Sequence, residues 1–75
     1  MVFEKLKHII IEQLWVEEEN VTLKSSFVED LSCDDLDLIE LAMAVEDDFE
    51  IVIPDDEWFE LKTVGEVIKY IEGKI

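Results

Sequence analysis

Seventy-five residues are enough for one small domain, and a hydrophobic share of 49% is enough to give it a core. Twenty-one acidic residues against six lysines leave a formal charge of −15. A charge of that size repels nucleic acid and anionic membranes, favours basic protein surfaces or divalent cations as partners, and makes the folded chain repel itself.

The first helix is expected from Val2 to about Leu14. Phe3, Leu6, Ile10 and Leu14 recur at helical spacing, Ile9 widens the stripe, and Lys5, Lys7 and Glu12 fall on the other side. The segment lacks the long apolar run and small-residue cleavage site of a secretion signal, and no stretch approaches membrane-spanning length. A cytoplasmic location is therefore expected. His8 is the only histidine, so a metal or catalytic role finds no second ligand or partner. Trp15 follows the helix and is expected to cover an edge of the core.

Glu17 to Ser32 reads as a long connection with scattered apolar anchors at Val21, Leu23, Phe27, Val28 and Leu31. A loop of this length packs its own side chains or serves a function. Phe27 and Leu31 are expected to pin it, and Lys24 with Ser25 and Ser26 suits a turn. Neither serine has a base nearby in sequence, so a nucleophilic reading has no support. Cys33 is the only cysteine; it forms no internal disulfide and suits a reducing compartment.

The stretch Leu31 to Phe49 organises the rest. Asp34 is an N-cap, Asp37 its capping-box partner, and Asp35 and Asp37 place negative charge at the positive end of the helix dipole. Two apolar stripes run along this helix. Leu38, Leu41, Ala42, Val45 and Phe49 form one. Leu36, Ile39 and Met43 form the opposite one, with Glu40 and Asp47 among them. Either the helix is sandwiched and both stripes are core, or the second stripe waits for a partner.

Ile51-Val52-Ile53 is read as an apolar linker that ends against the core, since no second strand exists to pair with it. Asp55 is expected to cap a short helix through about Leu61 that contains Trp58 and Phe59. Thr63-Val64-Gly65-Glu66 is a capping box for a last helix whose stripe is Val64, Val67, Ile68 and Ile71, with Tyr70 at its edge and Gly73 at its end. Three main amphipathic helices, one long loop and a short helix make a single all-α domain over residues 1–75. The acids of Asp34 to Asp37 lack the glycine and the alternating oxygens of a calcium loop, and no phosphate loop or metal-ligand spacing is present. No metal site is assigned.

Several of these stretches carry a resemblance. DDLDLIELAMAVEDDFEIVIPDD is similar to the second-helix region of the acyl carrier proteins of fatty acid synthesis. Ser26-Phe27-Val28-Glu29-Asp30-Leu31 resembles the loop of that family, and Thr63-Val64-Gly65-Glu66-Val67 resembles its last helix start. The likeness covers nearly the whole chain. It implies a four-helix acyl-carrier bundle with a long first loop and a short third helix, and a carrier rather than an enzyme. In that family an acyl group enters between the second and third helices, which makes Leu41, Val45, Phe49, Ile53, Trp58, Phe59 and Leu61 pocket candidates. Each is equally well explained as core. Trp58 and Phe59 are bulky for this place and narrow any pocket. The family often has glycine where Trp15 stands.

One departure is large. The family attaches 4'-phosphopantetheine to the serine of Asp-Ser-Leu, and this chain has Asp34-Asp35-Leu36. A carboxylate in place of the hydroxyl yields only a labile mixed anhydride, so no stable arm is expected on the chain as it stands. Asp35→Ser is expected to restore attachment. Ser32 or Cys33 are the remaining neighbours with a hydroxyl or thiol. Asp35 is either a natural loss or a deliberate replacement. The resemblance further implies docking on basic surfaces of acyl-synthesis enzymes and on phosphopantetheinyl transferase. Leu36, Ile39 and Met43 would supply the apolar contacts, and Glu40, Glu46 and Asp47 the charges, in a chain expected to be monomeric. The alternative is a non-carrier acidic regulatory protein that reuses the fold.

Overall fold

The computed structural model describes residues 2–75. Its elements are α1 (Val2–Leu14), a single 3₁₀ turn at Glu18–Asn20, α2 (Asp35–Phe49), α3 (Asp55–Trp58) and α4 (Val64–Lys74). No strand occurs among the described residues, so the bundle is all-helical as expected.

The apolar stripes meet in one core. Leu6 and Ile10 of α1, Leu41 and Val45 of α2, and Val64, Val67 and Ile71 of α4 are completely or almost completely shielded. From the loop, Val21, Phe27 and Leu31 join them, as does Ile53 from the linker. Burying a side chain of this size contributes about 1.5–3 kcal/mol each. Both capping boxes form. Thr63 accepts from the Glu66 N–H at 3.3 Å, and Glu66 Oε1 accepts from the N–H groups of Lys62 at 2.7 Å and Thr63 at 3.0 Å. Those two backbone donors hold the Glu66 carboxyl below its ordinary value.

The long loop is ordered by polar groups as well as by its anchors. Buried Ser25 donates to the Asn20 carbonyl at 2.7 Å and accepts from the Thr22 N–H at 2.9 Å. Phe27 N–H donates to Lys62 O and Val64 N–H to Ser25 O, an isolated antiparallel bridge that ties the loop to the start of α4. Gly65 N–H donates to Leu23 O at 2.9 Å, and a Cβ at Gly65 would lie 2.9 Å from that same oxygen. Glycine is required there by close approach. Leu23 and Val28, expected as anchors, are exposed instead. Leu23 acts through its carbonyl, and pinning falls to Val21, Phe27 and Leu31.

Four further expectations are corrected. Trp15 covers nothing: it is 89% exposed. It ends α1 by taking the left-handed conformation itself, with φ 58° and its N–H on Ile11 O. The cap of α3 is Pro54, not Asp55, and α3 stops at Trp58. Asp55 lies inside the first turn, because proline's fixed φ and missing N–H already suit a helix start. Finally, α4 runs through Gly73 to Lys74, with no chain reversal that would call for a glycine.

Candidate functional site

Asp34 sets the position of everything at the start of α2. Its Oδ1 accepts from the Asp37 N–H at 2.8 Å, and Asp37 Oδ2 accepts from the Asp34 N–H at 3.3 Å. Ahead of them, Ser32 takes a left-handed turn with φ 57°, and Cys33 N–H donates to Phe27 O at 2.8 Å. The result presents Asp35, first residue of the helix, to solvent.

Asp35 borders a cleft of about 430 Å³. Leu38 of α2, Phe27 and Val28 of the loop, and Trp58, Phe59 and Leu61 after the linker form its apolar walls, with Lys62 at the rim. Of the pocket candidates, Trp58, Phe59 and Leu61 are brought together here. Leu41, Val45 and Ile53 are buried in the core, and Phe49 is half-buried at the edge, where Lys5 Nζ sits 5.0 Å from its ring centroid. Phe27, Leu38 and Lys62 belong to the cleft and were not singled out for it from sequence. Only the tertiary bridge between Ser26 and Thr63 brings Phe27 and Lys62 there, and no local pattern encodes it. Trp58 closes the inner side. It is 3% exposed, its ring centroid lies 6.1 Å from that of Phe27, and its indole N–H has no acceptor among the described residues.

The second stripe of α2 is open. Leu36 is 63% exposed, Ile39 46% and Met43 62%, while Leu41 and Ala42 on the far side are buried. Glu40 and Asp47 flank the stripe as exposed carboxylates. Glu46 differs from them. It is half-buried, and its Oε2 accepts from the Ile53 N–H at 2.7 Å, holding the linker against the helix.

Asp35 does not fit covalent attachment of a phosphate-linked arm. Attachment as a phosphodiester needs a hydroxyl oxygen, and a carboxylate supplies only an anhydride. Cys33 is no substitute. Its side chain is buried, and that burial, with the nearby charges of Asp37 and Asp34, pushes the thiol up to about 11. A thiol of that kind is protonated at neutral pH and a poor nucleophile. Ser32 is exposed, but it sits before the cap, outside the helix. No cluster of metal-ligating side chains occurs among the described residues, and none of their helices is long and apolar enough to cross a membrane.

The family described as "Phosphopantetheine attachment site" matches residues 4–71. The acyl carrier protein of Clostridium acetobutylicum is 46% identical over 73 residues, 97% of this chain and 95% of that protein. The acyl carrier protein of Wolinella succinogenes is 49% identical over 71 residues, 95% and 93% respectively. That of Clostridium perfringens is 47% identical over 70 residues, covering 93% and 92%. With nearly the whole length matched and every main helix in place, the chain belongs to the phosphopantetheine-attachment family, among the acyl carrier proteins.

Proposed function

We propose that the chain is an acyl-carrier protein of fatty acid synthesis that docks on partner enzymes through α2 and, with Asp35, bears no phosphopantetheine arm. It is a carrier and not an enzyme. The observation that carries the docking reading is the exposed stripe Leu36, Ile39 and Met43 beside the carboxylates of Glu40 and Asp47. A helix buried on one face needs no second apolar stripe, and charged neighbours steer a basic partner onto it. The chain acts as a single monomeric domain in the cytoplasm, and its partners are basic surfaces of acyl-synthesis enzymes and phosphopantetheinyl transferase. Identity of 46–49% to acyl carrier proteins over nearly the whole chain supports this over a non-carrier regulatory protein that reuses the fold.

Binding to a phosphopantetheinyl transferase tests it. The chain should bind without being modified, Glu40→Lys should weaken binding about tenfold, and added salt should weaken both forms. Absence of binding, or binding untouched by Glu40→Lys, would overturn the docking reading.

A further inference from the structure

α1 and the long loop enclose a recess of about 440 Å³ to which α2 contributes nothing. Buried Val21 forms its floor, and the half-buried Phe3 ring and Leu23 form its apolar walls. Lys7, Thr22 and Lys24 complete the lining.

Leu23 is the unexpected member. Its side chain is 53% exposed, yet its backbone is fixed, because Leu23 O accepts from the Gly65 N–H at 2.9 Å. On either side, Thr22 N–H donates to Ser25 Oγ at 2.9 Å, and Ser25 Oγ donates to Asn20 O at 2.7 Å. The polar groups of the loop are turned inward, and the Leu23 side chain is presented outward on a backbone held away from collapse. A large apolar side chain held rigidly outside the core is a preformed contact.

The charge of the recess is opposite to that of the chain. Two of the six lysines line it, and none of the 21 acidic residues does. Lys7 is half-buried, with Nζ 5.3 Å from the centroid of the Phe3 ring, which keeps the ammonium beside the apolar wall. Lys24 brings a second ammonium from the loop. Past Leu23 the surface continues into a recess with Ile68 of α4, where Glu66 and Glu72 restore negative charge. An anionic group therefore belongs at Lys7 and Lys24, and an apolar tail over Leu23.

We propose that this recess binds an amphiphilic monoanion, an alkyl chain with a carboxylate head. The carboxylate meets the Nζ atoms of Lys7 and Lys24, and the chain lies over Val21 against Phe3 and Leu23. A small ligand is favoured over an acidic protein. The field of a chain at −15 repels a polyanion across its whole surface, whereas a single carboxylate feels the two lysines at short range and the distant acids only through screening. Burial of the alkyl chain supplies the rest of the affinity. The recess shares no residue with α2 or with the cleft beside Asp35, so the proposal stands apart from the docking reading.

The test is a titration of the isotope-labelled full chain with decanoate below its micelle concentration, with acetate and a leucine–glutamate helix as controls. Amide shifts should concentrate at Phe3, Lys7, Val21, Leu23 and Lys24 and saturate. Acetate, which lacks the chain, should give none there, and octanoate should bind more weakly than decanoate because less chain is buried. Lys24→Glu and Leu23→Ser should each weaken binding at least about tenfold, a change of about 1.4 kcal/mol. Both residues are exposed, and retained amide dispersion shows that the variants fold. Absence of saturable shifts, shifts confined to the cleft residues Leu38, Phe59 and Lys62, undiminished binding by Lys24→Glu, or equal binding of the glutamate helix at the same amides would each overturn the proposal. Transferase binding, which uses α2, reports on the docking reading separately.

Discussion

The Tyr70 hydroxyl donates to Glu57 Oε1 at 2.5 Å, joining α4 to the single turn of α3. α3 lies beside the cleft next to Asp35, so this bond helps to hold one wall of the site. Donation to Glu57, then burial, then the charges of Glu57, Asp56 and Glu46 push the phenol up to about 12. A folded value above the ordinary one near 10 means the bond contributes fully below about pH 10. That contribution is lost as pH rises through about 12. The chain has one tyrosine, so phenolate absorbance reports it alone. The expected midpoint is about 12, falling toward the ordinary value in Glu57→Gln. A wild-type midpoint near 10 would show that the bond does not persist in solution.

The two stripes of α2 should respond differently to truncation. Leu41→Ala removes a fully shielded side chain and should cost about 2–5 kcal/mol. Met43→Ala and Ile39→Ala remove exposed ones and should stay within about 0.5 kcal/mol. Phe49→Ala should fall between them, because that ring is half-buried at the edge. Urea denaturation of the four variants checks the order. A loss at Met43 equal to that at Leu41 would make the outer stripe core.

Two substitutions involving glycine should have opposite signs. Gly65→Ala places a methyl 2.9 Å from Leu23 O, a backbone atom held by its own hydrogen bond, and should destabilise. Trp15→Gly relieves a left-handed residue that is 89% exposed and packs nothing. The left-handed penalty is about 1–2 kcal/mol. Less the larger unfolded-state entropy of glycine, it should leave a gain of about 0.5–1 kcal/mol. Thermal melts of the two variants, moving in the same direction, would contradict this account.

What could be read from the sequence was local. Asp34 with Asp37 and Thr63 with Glu66 announce helix starts because a cap needs only a short polar pattern. The buried stripe Val64, Val67, Ile68 and Ile71 is legible from its period. Trp15 was not, since its place depends on how the chain leaves α1, and a large ring by itself suggests burial. Glu46 was expected to face a partner with Glu40 and Asp47, and only the fold of the linker puts Ile53 N–H within its reach. The cleft was half legible. Trp58, Phe59 and Leu61 were named, but Phe27 and Lys62 reach it through the Ser26–Thr63 bridge, a contact between distant segments.

We propose that this carrier fold lacks only its nucleophile, and the intact mass of the protein decides it. Ser is acceptable in the first turn of a helix, so Asp35→Ser should fold, losing one favourable dipole contact worth about 0.3–1 kcal/mol. Incubated with coenzyme A and a phosphopantetheinyl transferase, the unaltered chain should keep its mass, and Asp35→Ser should gain one phosphopantetheine. Modification of the unaltered chain, or a folded Asp35→Ser protein that several transferases leave unmodified, would contradict the account.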